Sequence, residues 1–500
     1  MRAHTQSAIL YLMCRVPLLL CLPALCFAAD ANPDATLTRL RERVVAGLGR
    51  MPNYTCVETV TRTYYSPARQ HGPASCDARA VKSPLHPYAA DRLRLDVAVT
   101  PAREIYSWAG ASEFDARDLS EIVGGGPIGS GAFGAFLGSI FRGQAAQFTY
   151  LGETWSGGRR LMEFAYRVPK ELSHYRIRTP DGWVIAAYEG RAVADPDTGD
   201  LIHLTVRAGD LPPETRSCET SLSLDYQRVA IGEADLLLPR ESRQHFVLRN
   251  GIETENVATF AACREYRGQS IIRFVDSADR LSADHPAAAQ SQSLALPPNA
   301  HISADLAARL DTWTASAGDI VTLRLTRPIL AADRRVAVPA GAAIEARLVR
   351  VQRYLARPAH ATVVVKPETI ERDGIRFPFA LLPTAPAPAP LARRAAFQPS
   401  DEAVPEIALP RESDFGVWRF TGDHVIVPKG YRSHWIIAPQ LSSTAPSEAP
   451  RENGSSASTT PSTTPPAPRL PRESLPSPTP ASPNNRSPAG PNPAAAHPRP

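Results

Sequence analysis

Alternation of hydrophobic and polar positions predicts strands over most of the first half of the chain. It is clearest in residues 93–99, where Leu93, Leu95, Val97 and Val99 are separated by single residues. A period of two is typical of a strand with one buried face. The other strand candidates are residues 54–65, 103–108, 147–153, 160–168, 183–193, 201–208, 221–229, 243–248, 253–263 and 270–274.

One segment that precedes these strands has a helical period instead. Leu37, Leu40, Val44 and Leu48 recur at helical spacing, and the glycine and proline that follow predict where the helix stops. The connections between strands are short turns, such as residues 195–200, which suit antiparallel neighbours and leave no room for crossover helices. We therefore expect one large, curved antiparallel sheet with the helix packed on it.

Residues 124–141 break this pattern. The segment is rich in glycine, and its later half is apolar on nearly every side. If the sheet curls into an open barrel, this segment and the first helix are expected to cover its hollow, and the glycines would let the segment move. The residues expected to form the lid and line a ligand cavity are Phe133, Phe136, Leu137, Ile140 and Phe141.

A second β domain is expected at residues 301–440. It follows an aperiodic linker at 277–300 and is interrupted by a proline-rich insertion at 383–410. Its short strand candidates, joined by Pro and Gly turns, suggest a small β-barrel or sandwich. They are residues 320–325, 335–338, 343–351, 361–365, 375–379, 423–427 and 434–437.

The two ends of the chain predict no folded domain. Residues 1–28 read as a cleaved signal peptide, with a basic opening, an apolar run at 16–27 and small residues before the expected cleavage site. Residues 441–500 lack aromatics and are dominated by Pro, Ser, Thr and Ala, which predicts a disordered tail. The mature protein is expected to be periplasmic or secreted, with a half-barrel domain at 30–276 and no transmembrane helix.

Four cysteines remain after cleavage: Cys56, Cys76, Cys218 and Cys263. An even number in an oxidising compartment predicts disulfides. Three pairings are possible, and sequence order favours Cys56 with Cys76 and Cys218 with Cys263. A metal site is not indicated, because no Cys-x-x-Cys occurs.

Charge and motifs exclude several classes of function. The 55 basic and 50 acidic residues give a net charge of +5 without clusters, so no nucleic-acid partner is expected. Residues 129–134 fit Gly-x-Gly-x-x-Gly, but no βαβ unit surrounds them. Neither Gly-x-Ser-x-Gly nor His-Glu-x-x-His occurs. Glu58, Asp96 and Glu163 could form a sugar-cleaving pair, but the sequence gives no distance between them. We expect no cofactor and no catalytic set.

Residues 183–264 resemble the later strands of the periplasmic lipoprotein-carrier (Lol) superfamily. That resemblance implies a half-open barrel with a helical lid over an apolar cavity. The residues that carry it are Glu189-Gly190, Ala194-Asp195-Pro196-Asp197-Thr198-Gly199-Asp200-Leu201-Ile202, Asp225-Tyr226 and Leu238-Pro239.

A second resemblance concerns a strand and turn in the second domain. It is similar to the Pro-Ala-Gly turn of the TrbI-type barrels in conjugation and type IV secretion envelope channels, and it implies a small β-barrel. The residues are Val338-Pro339-Ala340-Gly341-Ala342-Ala343-Ile344-Glu345-Ala346-Arg347-Leu348.

These observations together predict a mainly β, non-catalytic, exported envelope protein of bacteria. The half-barrel is expected to hold an apolar ligand, such as a lipid, an acyl chain or a hydrophobic peptide. The alternative is an interaction or structural module of an envelope or secretion assembly, with a protein partner. An enzyme is the third hypothesis.

Overall fold

A computed structural model describes residues 32–67, 76, 85–100, 103–111, 113–266, 294, 296–384 and 414–439. Several predictions lie outside these residues. They are the signal peptide, most of the linker, the strand at 270–274, most of the proline-rich insertion and the tail.

The predicted first helix is confirmed as α1 (Pro33–Gly49). The side chain of Asn32 caps its start by accepting a 2.9 Å hydrogen bond from the amide of Asp34. The residues at helical spacing form its buried face, with Leu40 fully buried. Among the described residues, no helix is long and apolar enough to span a membrane.

Twelve strands build the first domain. They are β1 (Tyr54–Pro67), β2 (Leu85–Val99), β3 (Glu104–Trp108), β4 (Gln147–Ser156), β5 (Arg159–Val168), β6 (Arg176–Thr179), β7 (Gly182–Ile185), β8 (Tyr188–Ala194), β9 (Leu201–Ala208), β10 (Ser217–Ile231), β11 (Ala234–Leu248) and β12 (Glu253–Glu265).

Ten of these strands form one antiparallel sheet in the order β3-β2-β1-β12-β11-β10-β9-β8-β5-β4. The sheet is large and not closed into a barrel, which confirms the predicted fold class. Burial alternates along its strands, as in β2 and β10, so that one face is covered. The core lies between that concave face and the helices.

Two strand predictions in this domain are wrong in their limits. Residues 183–193 are not one strand, because the amide of Ala186 bonds to the carbonyl of Tyr175 and separates β7 from β8. β6 and β7 instead form their own hairpin. β11 begins well before residue 243 and runs through Pro239, which lies at a shift in the pairing with β10. A bulge is where a strand tolerates proline, so Leu238-Pro239 lies within β11.

The second domain has twelve more strands, of which β13, β14, β16, β21 and β22 were not predicted. They are β13 (His301–Leu306), β14 (Leu310–Asp311), β15 (Ile320–Leu325), β16 (Ile329–Leu330), β17 (Val336–Val338), β18 (Ala343–Tyr354), β19 (His360–Arg372), β20 (Ile375–Pro378), β21 (Leu381–Pro383), β22 (Gly416–Thr421), β23 (Ile426–Val427) and β24 (Arg432–Ile437). Its main sheet runs β21-β24-β13-β15-β18-β19-β22 around a separate apolar core.

The two domains share the edge of one strand. β2 pairs with β1 along one side, and on its other side it pairs first with β18 and then with β3. Ala317 fills the interval between these two partners: its amide donates to the carbonyl of Arg92 and its carbonyl accepts from the amide of Arg94, both at 2.7 Å. Gly318 follows with a φ of 101°, where a side chain would collide with the carbonyl of Arg94. The second domain therefore continues the sheet of the first.

Candidate functional site

Residues 124–141, which we call the lid, follow the short helix α2 (Leu119–Val123) and end in α3 (Ala135–Phe141). The structure brings the predicted lid residues together on the concave face, where each is buried among the side chains of the sheet and α1. These residues are Phe133, Phe136, Leu137, Ile140 and Phe141.

Aromatic contacts hold the lid against the sheet. The ring of Phe133 lies 4.8 Å from that of Phe260, and the ring of Phe136 lies 5.5 Å from that of Tyr175. Both pairs meet edge to face, the arrangement that aromatic rings prefer. The lid thus packs on the half-barrel as part of its core.

The side chains of the lid fill the concavity of the half-barrel almost completely. One cavity of about 30 Å³ lies where α1, α3 and β11 meet, with Val44, Leu48, Leu137 and Leu236 in its wall. A second cavity near Tyr54 measures about 20 Å³. Each has room for only one or two water molecules, so little empty space remains beneath the lid.

Glu104 at the start of β3 fixes the backbone of the lid. Its carboxylate accepts hydrogen bonds from the amides of Gly131 (2.7 Å) and Phe133 (3.0 Å). The hydroxyl of Tyr106 donates to the same carboxylate at 2.8 Å. Hydrogen bonds to a charged acceptor are stronger than neutral ones, so this contact holds the turn before α3 in place.

A line of polar side chains crosses the concave face beneath the first half of the lid. Its members stand at one register position on five adjacent strands, and we call them the polar row. They are Gln352 on β18, Asp91 on β2, Arg62 on β1, Asn256 on β12 and Gln244 on β11.

Three members of the polar row hold alternate residues of the lid through its backbone. Each contact joins a side chain to the main chain, so it depends little on lid sequence. Arg62 Nη1 donates to the carbonyl of Gly125 (2.8 Å), Asn256 Nδ2 to that of Pro127 (3.0 Å) and Gln244 Nε2 to that of Gly129 (2.9 Å), while Gln244 Oε1 accepts from the amide of Gly129 (3.0 Å).

Buried charges surround the start of the lid. Arg62 and Asp91 form an ion pair with side chains 1% exposed, joined by Nε to Oδ1 at 2.7 Å and Nη2 to Oδ2 at 2.5 Å. Arg350 of the second domain is also buried, and its Nη2 donates to the carbonyl of Gly124 at 2.8 Å. Burial lowers the pKa of Arg350, although Asp91 acts in the opposite direction. Arg62 is therefore paired directly with Asp91, whereas Arg350 interacts with Asp91 only electrostatically.

Glu58 faces the same concavity from β1 and is 7% exposed. Its Oε2 has no hydrogen-bond partner among the described residues. Burial, with a smaller contribution from Glu104, raises its pKa from 4.5 to about 8. At neutral pH the group is therefore held in its neutral form.

Replacement of Glu58 by glutamine is expected to flatten the dependence of stability on pH. The folded protein holds the proton of Glu58 between about pH 4.5 and 8, whereas the unfolded chain releases it. Stability conferred by Glu58 is therefore complete below pH 4.5 and is lost as pH rises toward 8, at up to about 1.4 kcal/mol per pH unit. Urea denaturation at several pH values measures this slope.

The matched control is Glu171→Gln, which makes the same change at an exposed position. The control is expected to keep the slope of the native protein. Equal slopes for native protein and Glu58→Gln would contradict the assignment.

The favoured disulfide pairing is wrong. The structure joins Cys56 to Cys263 and Cys76 to Cys218. The reason is the sheet order: β1 pairs with β12 rather than only with its neighbour in sequence, which brings Cys56 and Cys263 together. Strands that are neighbours in the chain are not the only neighbours in a sheet.

The acidic residues considered for sugar cleavage do not converge. Glu58 points into the concavity, whereas Asp96, which pairs with Val57, and Glu163, which binds Arg191 at 2.9 Å, are on the outer face. Within the described ranges, no group of three His, Cys, Asp or Glu side chains is placed to hold a metal ion.

The polar row was missed by the sequence reasoning. The sequence did contain a signal. Arg62, a member of the row, occupies an inward position of the alternating strand β1, as does its neighbour Glu58, and Arg350 lies beside the row in the apolar strand β18. Charged residues on a buried face are rarely accidental. Only the register of the sheet shows that these positions meet.

No protein-family model matches the sequence, and no curated protein matches it significantly. Several crystal structures are similar to part of the chain. A DUF1329 family protein from Desulfovibrio piger is 10% identical over 47% of this chain and 94% of that protein, with a TM-score of 0.24.

The second structure is a LolA superfamily protein from Nitrosomonas europaea, 9% identical over 46% of this chain and 92% of that one, with a TM-score of 0.22. The third is an outer membrane lipoprotein-sorting protein domain from Vibrio parahaemolyticus, 8% identical over 47% and 92%, with a TM-score of 0.23. TM-scores this low support no conclusion about fold or function, and the fold is assigned from the strand order alone. None of the three is a TrbI-type barrel, and that resemblance stays a prediction.

Proposed function

We propose that this chain is an exported, non-catalytic protein of the bacterial envelope that binds an apolar ligand on the concave face of its half-barrel. The ligand is a lipid, an acyl chain or a hydrophobic peptide. It takes the place that the lid side chains fill in the closed state. The observation that carries the proposal is the lid itself, whose apolar side chains occupy the hollow of an open sheet.

Two features of the lid would allow it to move away from the concave face. It is not paired into the sheet, and side chains rather than strand ladders hold its first half. Glycines with positive φ stand at both ends, at residues 124–126 and at Gly143. Such residues can absorb the changes in φ and ψ of a hinge.

The surface beneath the lid suits an apolar ligand. Leu204 and Leu224 face the concavity and are fully buried, as are Phe164 and Met162. Lifting the lid would expose this apolar wall to water, and an apolar ligand would cover it again.

Opening the lid is expected to create ligand binding. Gly131 has a φ of 100°, and a side chain there would lie 3.2 Å from the ring of Phe136. Gly131→Val strains the closed lid by about 1–3 kcal/mol, which would raise the affinity for a fluorescent palmitate about tenfold or more. Fluorescence titration of the full chain measures the affinity, and hydrogen exchange of the lid amides verifies the opening.

Gly157→Val is the matched control. Gly157 also has a positive φ, and nothing lies within 4 Å of a side chain placed there. It is in the turn between β4 and β5 and does not touch the lid. Palmitate binding that stays unchanged in Gly131→Val, with its lid amides exchanging faster, would exclude an acyl chain as the ligand.

One observation favours the alternative of a protein-interaction module. β4 pairs only with β5 among the described strands, and its Trp155 is 69% exposed. An unpaired strand edge with exposed apolar side chains can pair with another chain. A photo-crosslinker at position 155 that captures one defined envelope protein in native cells would favour this function.

A further inference from the structure

The first half of the lid is bound as an extended peptide would be. Residues 125–129 cross the strands, and their backbone groups meet the polar row at alternate residues. Arg350 extends these contacts to the carbonyl of Gly124, and Glu104 extends them to the amides of Gly131 and Phe133. The polar row together with Arg350 and Glu104, which we call the groove, therefore contacts main-chain groups along the segment from Gly124 to Phe133.

We propose that the polar row is a recognition site for an extended, glycine-containing peptide segment of another protein, and that residues 124–133 are its built-in occupant. This inference rests on the proposed function and selects the peptide among the ligands it allows. The second domain is part of the site, since Gln352 and Arg350 belong to β18.

Unpaired polar atoms along the groove support a ligand richer in polar groups than the resident segment. Buried atoms of the row and its neighbours lack hydrogen-bond partners in the described part of the chain, although their residues are at least nine-tenths buried. They are Arg350 Nη1, Asn256 Oδ1, Gln352 Oε1, Glu58 Oε2, Ser242 Oγ and Thr254 Oγ1. Buried polar groups are normally paired, so these atoms mark contacts that the resident segment leaves unused.

An acyl chain cannot replace the resident segment at this place. It carries a single carbonyl or carboxylate at its head, so it cannot supply both of the carbonyls that Arg62 and Asn256 bind, and it has no amide to donate to Gln244. It would leave these buried groups unpaired, which binding sites avoid. A peptide backbone supplies the same carbonyl and amide groups at the same spacing.

The groove also limits which peptide fits. A side chain at Gly126 would collide with the hydroxyl of Tyr64 and lie 2.8 Å from Arg62 Nη1. A side chain at Gly129 would lie 3.1 Å from Gln244 Nε2. Glycine is therefore required at the first position and favoured three residues later, followed by the apolar side chains that fill the hollow.

The test uses the full chain carrying Gly131→Val and a fluorescent synthetic peptide with the sequence of residues 124–136. Gln244→Leu removes both hydrogen bonds to residue 129, and we expect it to weaken peptide binding about tenfold. Gln227→Leu, the same change at an exposed position on β10, is expected to leave it unchanged. Palmitate affinity is expected to be unchanged in Gln227→Leu and not to fall in Gln244→Leu, because the latter change loosens the lid and removes no contact with a hydrocarbon chain.

A second peptide carries N-methylglycine at the position of Gly129, which removes the amide that Gln244 binds. We expect this peptide to bind about tenfold more weakly than the first peptide to the protein that keeps Gln244. We expect the two peptides to bind Gln244→Leu with equal affinity. Such non-additivity shows that the two changes remove one contact.

The outcomes separate the two proposals. If neither palmitate nor the peptide binds the opened protein, the proposed function fails. If palmitate binds but the peptide does not, or if Gln244→Leu and Gln227→Leu bind it equally, the recognition site alone is overturned. Equal losses of palmitate and peptide in Gln244→Leu also overturn it, because they indicate a general collapse of the concave face.

Discussion

Replacement of Asp91 by alanine is expected to destabilise the protein by about 3–5 kcal/mol. The change leaves Arg62 buried without its carboxylate and removes the negative charge that offsets the repulsion between Arg62 and Arg350; an uncompensated buried charge is among the most costly defects in a protein interior. The effect is measured as a lower midpoint in guanidinium chloride denaturation, with the full chain and its disulfides intact.

Two further variants test the cause. Asp91→Ala combined with Arg350→Met is expected to recover part of the loss, because one of the two like charges is removed. Asp115→Ala breaks the partly exposed pair with Arg117 and is expected to cost less than about 1 kcal/mol. A loss from Asp91→Ala as small as that from Asp115→Ala would contradict the picture of an isolated buried charge cluster.

Removal of the Cys56–Cys263 bond by serine at both positions is expected to cost about 4–5 kcal/mol. The two cysteines are 207 positions apart, and closing so long a loop takes much conformational entropy from the unfolded chain. Denaturation of the double serine variant, compared with the native protein under oxidising conditions, measures the loss.

Peptide mapping without reduction provides the control for this prediction. It is expected to recover Cys56 with Cys263 and Cys76 with Cys218. Recovery of Cys56 linked to Cys76 would restore the pairing that sequence order favoured and would contradict the described strand order.

Local patterns predicted what short-range physics determines. The helical spacing from Leu37 to Leu48 predicted α1, alternation located central strands of the first domain, and Pro and Gly turns located central strands of the second. The limits of strands were less predictable. β11 continues through Pro239 at a bulge, and the four-residue strands β6 and β7 are too short to show a periodic pattern that separates them from their neighbours. β13 was missed although Ile302, Ala304 and Leu306 alternate with polar residues, and β22 was missed although Trp418 and Phe420 alternate with Arg419 and Thr421.

The candidate site could be predicted only in its apolar half. The run of Phe133, Phe136, Leu137, Ile140 and Phe141 is evident in the sequence, and each side chain is buried. The polar row could not be predicted as a set, because its members come from three separate parts of the chain: β1 and β2, β11 and β12, and β18. Their meeting depends on register, and a shift of one residue would turn Arg62 and Asn256 to the opposite face.

The strand order has a consequence for how the half-barrel is made. β1 and β12 are neighbours in the middle of the sheet, although one opens the domain and the other completes it. In a chain that emerges from its N-terminus, the free edge of the β1–β2 hairpin stays uncovered until about 150 later residues have appeared. The domain therefore cannot fold strand by strand from its N-terminus. The unpaired edge of β1 is open to aggregation until β12 is available to pair with it.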